Sequence, residues 1–259
     1  MTVVAAKHEA AGVQTLARAV AVLQRLGEAG ASGLRLIDIQ RTTGLTRPTA
    51  HRILAALGHH GFTSRDATGR RYFLGPELAI LGRSAASHTL DLHSMCQHNL
   101  AELARESGDT AFLMARSGHE IVCLDLKLGS YPVKTMTADI GTRRPLGVGA
   151  AGVAVLAALD PAEMEGALRA GRDRLRDYVY TSESAIRRAV RDARAQGYAL
   201  SNGEVLPSVR GLAIAVRDKG KPIAALCVAS IRERISDSRV PGIVALLQRH
   251  RGEIERQLP

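Results

Sequence analysis

TRPTAHRILAALGHHGF, residues 46–62, carries the pattern that decides the fold of the first third of the chain. Ala50, Ile53, Leu54 and Leu57 recur at i, i+3, i+4 and i+7, the spacing of one helix face. Thr46 stands at the N-cap position, and Pro48 falls in the first turn, where an N–H would have no helical partner. The opposite face and the leading turn hold Arg47, Thr49, His51 and Arg52, long or hydrogen-bonding side chains with no acid among them. Upstream, residues 16–28 predict a helix with Leu16, Ala19, Val20, Leu23 and Leu26 inward, closed by Gly30 and Gly33. A short helix over residues 37–43 then buries Leu36 and Ile39, exposes Arg41, and meets a turn at Gly44. Helix, Gly-containing turn and helix make a helix-turn-helix. Downstream, FTSRDATGRRYFLG (residues 62–75) reads as a β-hairpin around a polar ATG turn. With Arg65, Arg70 and Arg71 on it, the hairpin has the character of a wing.

Charge points the same way. Between Arg41 and Leu74 lie six arginines and one acid, Asp66, within a chain of formal net charge +10. Such clustering is the electrostatic footprint of a polyanion-binding surface. The competing reading is an ordinary solvated helix in a basic protein, which normally carries interspersed Glu. Groove reading needs donors on the leading turns of the helix, and Arg47, Thr49 and Arg52 supply them. Arg bonds guanine bidentately, whereas Thr and His contact bases or phosphates.

The 259 residues suffice for two domains, and 46% hydrophobic content marks a globular chain. Aromatics make up only 3% with no Trp, so the cores must be Leu, Ile, Val and Ala. No apolar run approaches the roughly 20 residues of a membrane span. The opening MTVVAAKHEAAGVQ puts its apolar patch before its only Lys, the reverse of a secretory signal, and predicts a short disordered arm on a cytoplasmic protein. Cys96, Cys123 and Cys227 form no CxxC pair and no disulfide framework, which suits small buried hydrophobes in a reducing compartment.

Residues 76–108 are helical in pattern, with Leu92, Cys96, Leu100 and Leu103 on one stripe, as a linker helix leading into a second domain. Strands follow at 110–115, 120–128 and 133–137, and helices at 149–159, over DPAEMEGAL and at 182–196. A hairpin joins residues 210–218 to 222–230 through Lys219-Gly220, and a last helix carries Ile243, Leu246, Leu247, His250 and Ile254 on one face. Strands and helices mix without βαβ alternation, so the class is α+β.

GVGAAG (147–152) matches the dinucleotide pattern GxGxxG, but GTRRPL precedes it and two helices follow, so the required strand context fails. Two readings stay open: a helix N-terminus whose uncovered N–H groups take an anion, or close packing of a small-residue helix. His88, His93, Cys96 and His98 make no metal set, because a spacing of five turns a helix by roughly 140° and two ligands are too few. No nucleophile context such as GxSxG occurs, so neither a catalytic residue nor a cofactor is expected. Two other classes remain beside a ligand-responsive regulator: an enzyme-like small-molecule domain with a basic accessory module, and a sequence-neutral architectural DNA binder.

QTLARAVAVLQRL, LIDIQRTTGLTRPTAHRILAALGHHGF and RDATGRRYFLG resemble the isocitrate lyase regulator (IclR) family, and the likeness continues through PLGVGAAGVAVLAAL, ARAQGYAL and RGLAIAVRD–PIAALCVAS. It implies a winged helix-turn-helix over residues 1–75, a linker helix over 76–91 and a GAF-like α/β sensor domain over 92–259. It also implies a dimer, often a tetramer, that binds double-stranded operator DNA under control of a small organic acid. The DNA-binding set becomes Arg41, Arg47, Thr49, His51, Arg52, Arg65, Arg70 and Arg71. Carried over by position, the effector pocket takes Leu146, Gly149, Ala150 and Ala151 from the loop and helix, and Ser201, Val209, Gly211, Cys227 and Ala229 from strands. Family members that bind small hydrophilic acids tend to have Asp at the position of Ser201, Cys at Gly211, and Ser at Cys227 and Ala229. Loss of those polar groups implies a roomier, more apolar pocket for a carboxylic acid with a substantial apolar body. Cys227, with no base beside it, is expected as a wall residue.

Overall fold

The computed structural model describes residues 2–86, 91–178 and 181–258, and the chain divides into two compact units, Met1–Leu90 and Asp91–Pro259. In the first unit α1 (Thr2–Ala29) is followed by β1 (Leu34–Arg35), α2 (Leu36–Thr43), α3 (Arg47–His59), β2 (Thr63–Arg65), β3 (Arg71–Leu74) and α4 (Pro76–Ala86). The expected arm is instead helical from Thr2, in keeping with an alanine-rich stretch that contains no proline. The inward face of α1 also differs from expectation. Val22 and Leu26 are the buried positions, whereas Leu16 is 66% and Val20 44% exposed. Val22 and Leu26 pack with Ile39, Leu45, Ala50, Ile53, Leu54 and Tyr72, so the helix is rotated relative to the stripe its leucines suggest.

Gly44 ends α2 in the left-handed conformation (φ 68°) and donates to the Gln40 carbonyl at 2.9 Å, the backbone device that makes so short a helix-helix turn possible. The Thr46 hydroxyl meets that of Thr49 at 2.9 Å instead of capping the α3 backbone. The hairpin of β2 and β3 forms as expected, and β1 adds a third strand, Leu34 opposite Tyr72, too short to register as a sequence pattern.

The second unit runs α5 (Leu92–Ser107), β4 (Thr110–Ser117), β5 (Glu120–Lys127), β6 (Arg143–Pro145), α6 (Gly149–Ala158), α7 (Pro161–Gly171), α8 (Glu183–Gln196), β7 (Ala199–Asn202), β8 (Val209–Asp218), β9 (Lys221–Ile231) and α9 (Val240–Gln257). Its six strands form one antiparallel sheet in the order β6-β5-β4-β9-β8-β7. Along β4 the side chains alternate between two cores: Phe112 and Met114 join the side of α6 and α8, Ala111 and Leu113 the side of α5 and α9. Both faces are covered, so the central strands read as continuous apolar runs. Burying a Leu such as Leu226 in such a core contributes about 1.5–3 kcal/mol.

Residues 133–137, expected as a strand, are not one. That segment is loop, tied by Lys134 Nζ donating to the carbonyls of Gly129 and Tyr131, and β6 takes the place beside β5. The β8–β9 turn falls at Lys219 and Gly220 with φ of 47° and 82°, as a two-residue hairpin requires. Asp109, its side chain fully buried, accepts from Arg234 Nε at 3.2 Å and Arg239 Nη1 at 3.0 Å, pinning the end of α5 to the approach to α9. Of the helical stretch expected at 76–108, residues 87–90, including His88, lie outside the described residues. No helix among the described residues is long and apolar enough to cross a membrane.

Candidate nucleic-acid interface and ligand cavity

Because Ala50, Ile53 and Leu54 anchor α3 to the core, its other face is turned to solvent. Arg47, His51 and Arg52 are exposed there, with Thr49 half-buried beside them. The first turn contains no acid. Arg18 of α1 lines one groove with Thr49, His51 and Arg52, a cation that the sequence pattern did not single out. Arg41 lies exposed on α2 but 3.6 Å from Asp38, which tempers its charge.

The three wing arginines differ from one another. Arg70 is exposed and, among the described residues, reaches no carboxylate. Arg65 stacks 4.7 Å over the Tyr72 ring. Arg71 donates to the carbonyls of Ser32 and Gly33 at 2.8 and 3.2 Å, so its guanidinium is engaged in holding the hairpin to the end of α1. Asp66 accepts from the Arg71 and Arg70 N–H groups and the Thr68 hydroxyl, and these bonds hold its carboxyl below the usual range. The one acid of this region is thereby spent on the turn.

In the second unit, eight of the nine carried-over positions line one cavity: Gly149, Ala150 and Ala151 from the start of α6, Ser201 from β7, Val209 and Gly211 from β8, Cys227 and Ala229 from β9. Leu146 does not reach it and is buried in the adjoining core. Strand register explains the convergence. Gly211 pairs with both Ser201 and Ala229, and Cys227 pairs with Phe112, so these positions share one face of the sheet. The same rule adds wall residues absent from the sequence reading: Phe112, Met114, Ile121 and Arg144. At Gly211 a Cβ would sit 3.1 Å from Ser201 Oγ and 3.6 Å from Ala150 Cβ, so the missing side chain opens space between β7 and α6.

The residues of GVGAAG fall in two settings. A Cβ on Gly147 would lie 2.7 Å from Ile186, and one on Gly152 3.0 Å from the Gly147 nitrogen, so those glycines serve packing. Ala150 and Ala151 face the cavity from a helix whose N-cap, Val148, offers no side-chain acceptor and whose first turn holds no acid. The cavity is narrow, with a volume of about 40 Å³. Seating an aromatic ring therefore requires the wall to yield, and Leu206, a wall residue 44% exposed, stands at the rim.

Burial pushes the Cys227 and Cys123 thiols up to about 12 and that of Cys96 to about 11, leaving them unreactive hydrophobes. Among the described residues no group of three His, Cys, Asp or Glu is placed to hold a metal ion.

Comparison with known proteins matches both units. A family model described as the bacterial transcriptional regulator IclR C-terminal domain covers residues 84–256, and the IclR helix-turn-helix domain covers residues 15–67. The glycerol operon regulatory protein of Streptomyces griseus is 33% identical over 236 residues, which is 90% of each chain. The crystal structure of an IclR transcriptional regulator from Alicyclobacillus acidocaldarius superposes with a TM-score of 0.73 at 26% identity, covering 94% of this chain and 98% of the other. An IclR homolog from Microbacterium hydrocarbonoxydans, complexed with 4-hydroxybenzoate, shares the fold with a TM-score of 0.73 at 24% identity, covering the same 94% and 98%.

Proposed function

Since the chain belongs to the IclR family of DNA-binding transcriptional regulators with a C-terminal effector-binding domain, we propose that α3 and the wing grip operator DNA and that a carboxylic acid with an apolar body, bound under α6, alters that grip. The observation that carries the effector reading is one cavity combining an apolar sheet face with an uncapped helix N-terminus. A helix N-terminus attracts a carboxylate by about 0.3–1 kcal/mol when exposed and up to about 2 when partly buried. The sheet face adds roughly 25 cal/mol for each Å² of apolar ligand surface removed from water. The 4-hydroxybenzoate of the Microbacterium homolog belongs to the same chemical class.

In this reading residues 1–75 form the winged helix-turn-helix, 76–91 a linker helix and 92–259 the effector domain. The regulator works in the cytoplasm as a homodimer or tetramer. Among the DNA contacts, Arg47 and Arg52 address the groove, and Arg41, Arg65 and Arg70 the backbone. We assign it no reaction.

Calorimetry with the full chain against acids running from pyruvate to 4-hydroxybenzoate tests the pocket. Acids with an apolar body should bind, and Ala151→Asp, which sets a negative charge at the helix start, should abolish the heat. Exclusive binding of small hydroxylated acids, or indifference to Ala151→Asp, would overturn the assignment. A gel shift on the chain's own upstream DNA, resistant to random competitor, separates a specific regulator from an architectural binder.

A further inference from the structure

Two adjacent arginines on β6 meet opposite fates. Arg143 pairs across the sheet with Val122, and its Nη1 donates to Glu120 at 2.7 Å. Arg144 pairs with Ile121, which is 1% exposed and lines the effector cavity, so strand alternation turns Arg144 toward the same cavity. There its Nη2 donates to the Thr137 carbonyl. Among the described residues Arg144 has no carboxylate partner, and it is the only charged side chain lining the cavity. Asp125 cannot serve it. Beyond the β-bulge of β4 and β5 that residue lies opposite Leu113, and it pairs with Lys127 at 2.9 Å.

Withdrawing a charge from water costs stability unless a partner meets it, and an anionic ligand would supply that partner here. We infer that Arg144 is the counter-ion of the effector and that this cavity therefore selects carboxylate anions, with the α6 N-terminus in the secondary role. The inference rests on the effector reading above and specifies it: the ligand presents a carboxylate toward β6 and its apolar body toward Phe112, Met114 and Cys227. An amide or alcohol of the same shape lacks the charge that Arg144 requires.

The test uses the full-length chain, the probes benzoate, 4-hydroxybenzoate and benzamide, and the variants Arg144→Met and Arg143→Met. The unmodified protein should bind the acids at least about tenfold more tightly than benzamide, and Arg144→Met should weaken the acids by about 10- to 100-fold while leaving benzamide unchanged. Without ligand, Arg144→Met should hold or raise the melting temperature, because an unpaired charge is removed, whereas Arg143→Met should lower it by taking away one of the two arginines, Arg143 and Arg174, that meet Glu120. Acid binding that survives Arg144→Met sinks the inference and leaves the cavity reading intact. A melting temperature that falls as far for Arg144→Met as for Arg143→Met makes Arg144 a structural pin on Thr137 and overturns the inference without any ligand. If no acid from pyruvate to 4-hydroxybenzoate binds, the cavity reading itself fails and this inference with it.

Discussion

Arginine is used in two ways in the two units. On α3 and the wing, Arg47, Arg52 and Arg70 stand exposed with no carboxylate within reach among the described residues, and α3 contains no acid. In the second unit Arg143, Arg174, Arg187, Arg210, Arg234 and Arg239 each meet an Asp or Glu. Exposed pairs contribute only about 0–1 kcal/mol each, so most of this pairing matters less for stability than for cancelling charge. α3 and the wing keep their positive potential for phosphates, whereas these six arginines of the second unit are matched by acids. Asp109 and Arg144 are the instructive extremes there: one acid with two arginines, and one arginine with none.

The largest expected effect tests the paired side. Asp109→Asn strands Arg234 and Arg239 against a buried position and should cost about 3–5 kcal/mol in urea unfolding of the second unit. A loss under 1 kcal/mol would mean that these arginines find water instead.

Next come the unpaired arginines. Arg47→Ala or Arg52→Ala should weaken operator binding by about 1–3 kcal/mol wherever a bidentate base contact is lost, with relaxed specificity at one position. Fluorescence anisotropy against operator and random DNA distinguishes this from a phosphate contact, which weakens both alike. Unchanged affinity for both operator and random DNA would remove α3 from the groove.

The wing separates into two outcomes. Arg70→Ala should make the slope of log affinity against log salt shallower by about 0.9, the signature of one lost phosphate contact. Arg71→Ala should lower the melting temperature with the slope unchanged, because its guanidinium holds the Ser32 and Gly33 carbonyls. The reverse pattern would show Arg71 on DNA.

The smallest effect concerns His250, 3% exposed between α5 and α9, with Asn99 Nδ2 at 3.3 Å from its Nδ1. Burial, and then Arg249, hold its imidazole below the ordinary 6.5, against the pull of Glu106, Glu253 and Glu102. The unfolded chain therefore takes up the proton first as pH falls. Stability should decline on acidification below about pH 6.5 and level off once the folded imidazole also titrates. His250→Gln should flatten that decline in melting curves collected from pH 7.5 to 5.

What could be read from the sequence follows from how locally each feature is determined. The α2-turn-α3 motif and the wing rest on i, i+3, i+4 spacing, a glycine turn and a two-strand alternation, all contained within short windows. The face of α1 is set by what α2, α3 and Tyr72 present to it, so Leu16 and Val20 misled. The 133–137 segment alternates like a strand but loses its place to β6, a competition that no local window reveals. Eight pocket positions came from resemblance, whereas Arg144 was missed because a double arginine before a proline reads as solvated charge. Only the pairing of Arg144 with Ile121 shows which of the two arginines turns inward.

The sheet order also has a consequence in time. Its central pairing joins β4 to β9, with Thr110 opposite Ala229, partners roughly 120 residues apart along the chain. The first unit is complete within the first 90 residues, so none of its contacts needs a longer stretch of chain. Closing long loops is slow, and chains emerge from the ribosome N-terminus first. While β9 is still inside the ribosome, the cavity lacks the wall that carries Cys227 and Ala229, so the DNA-binding half is finished before the effector-binding half exists. Each newly made copy is thus expected to pass through an interval in which it is able to hold DNA and deaf to its effector.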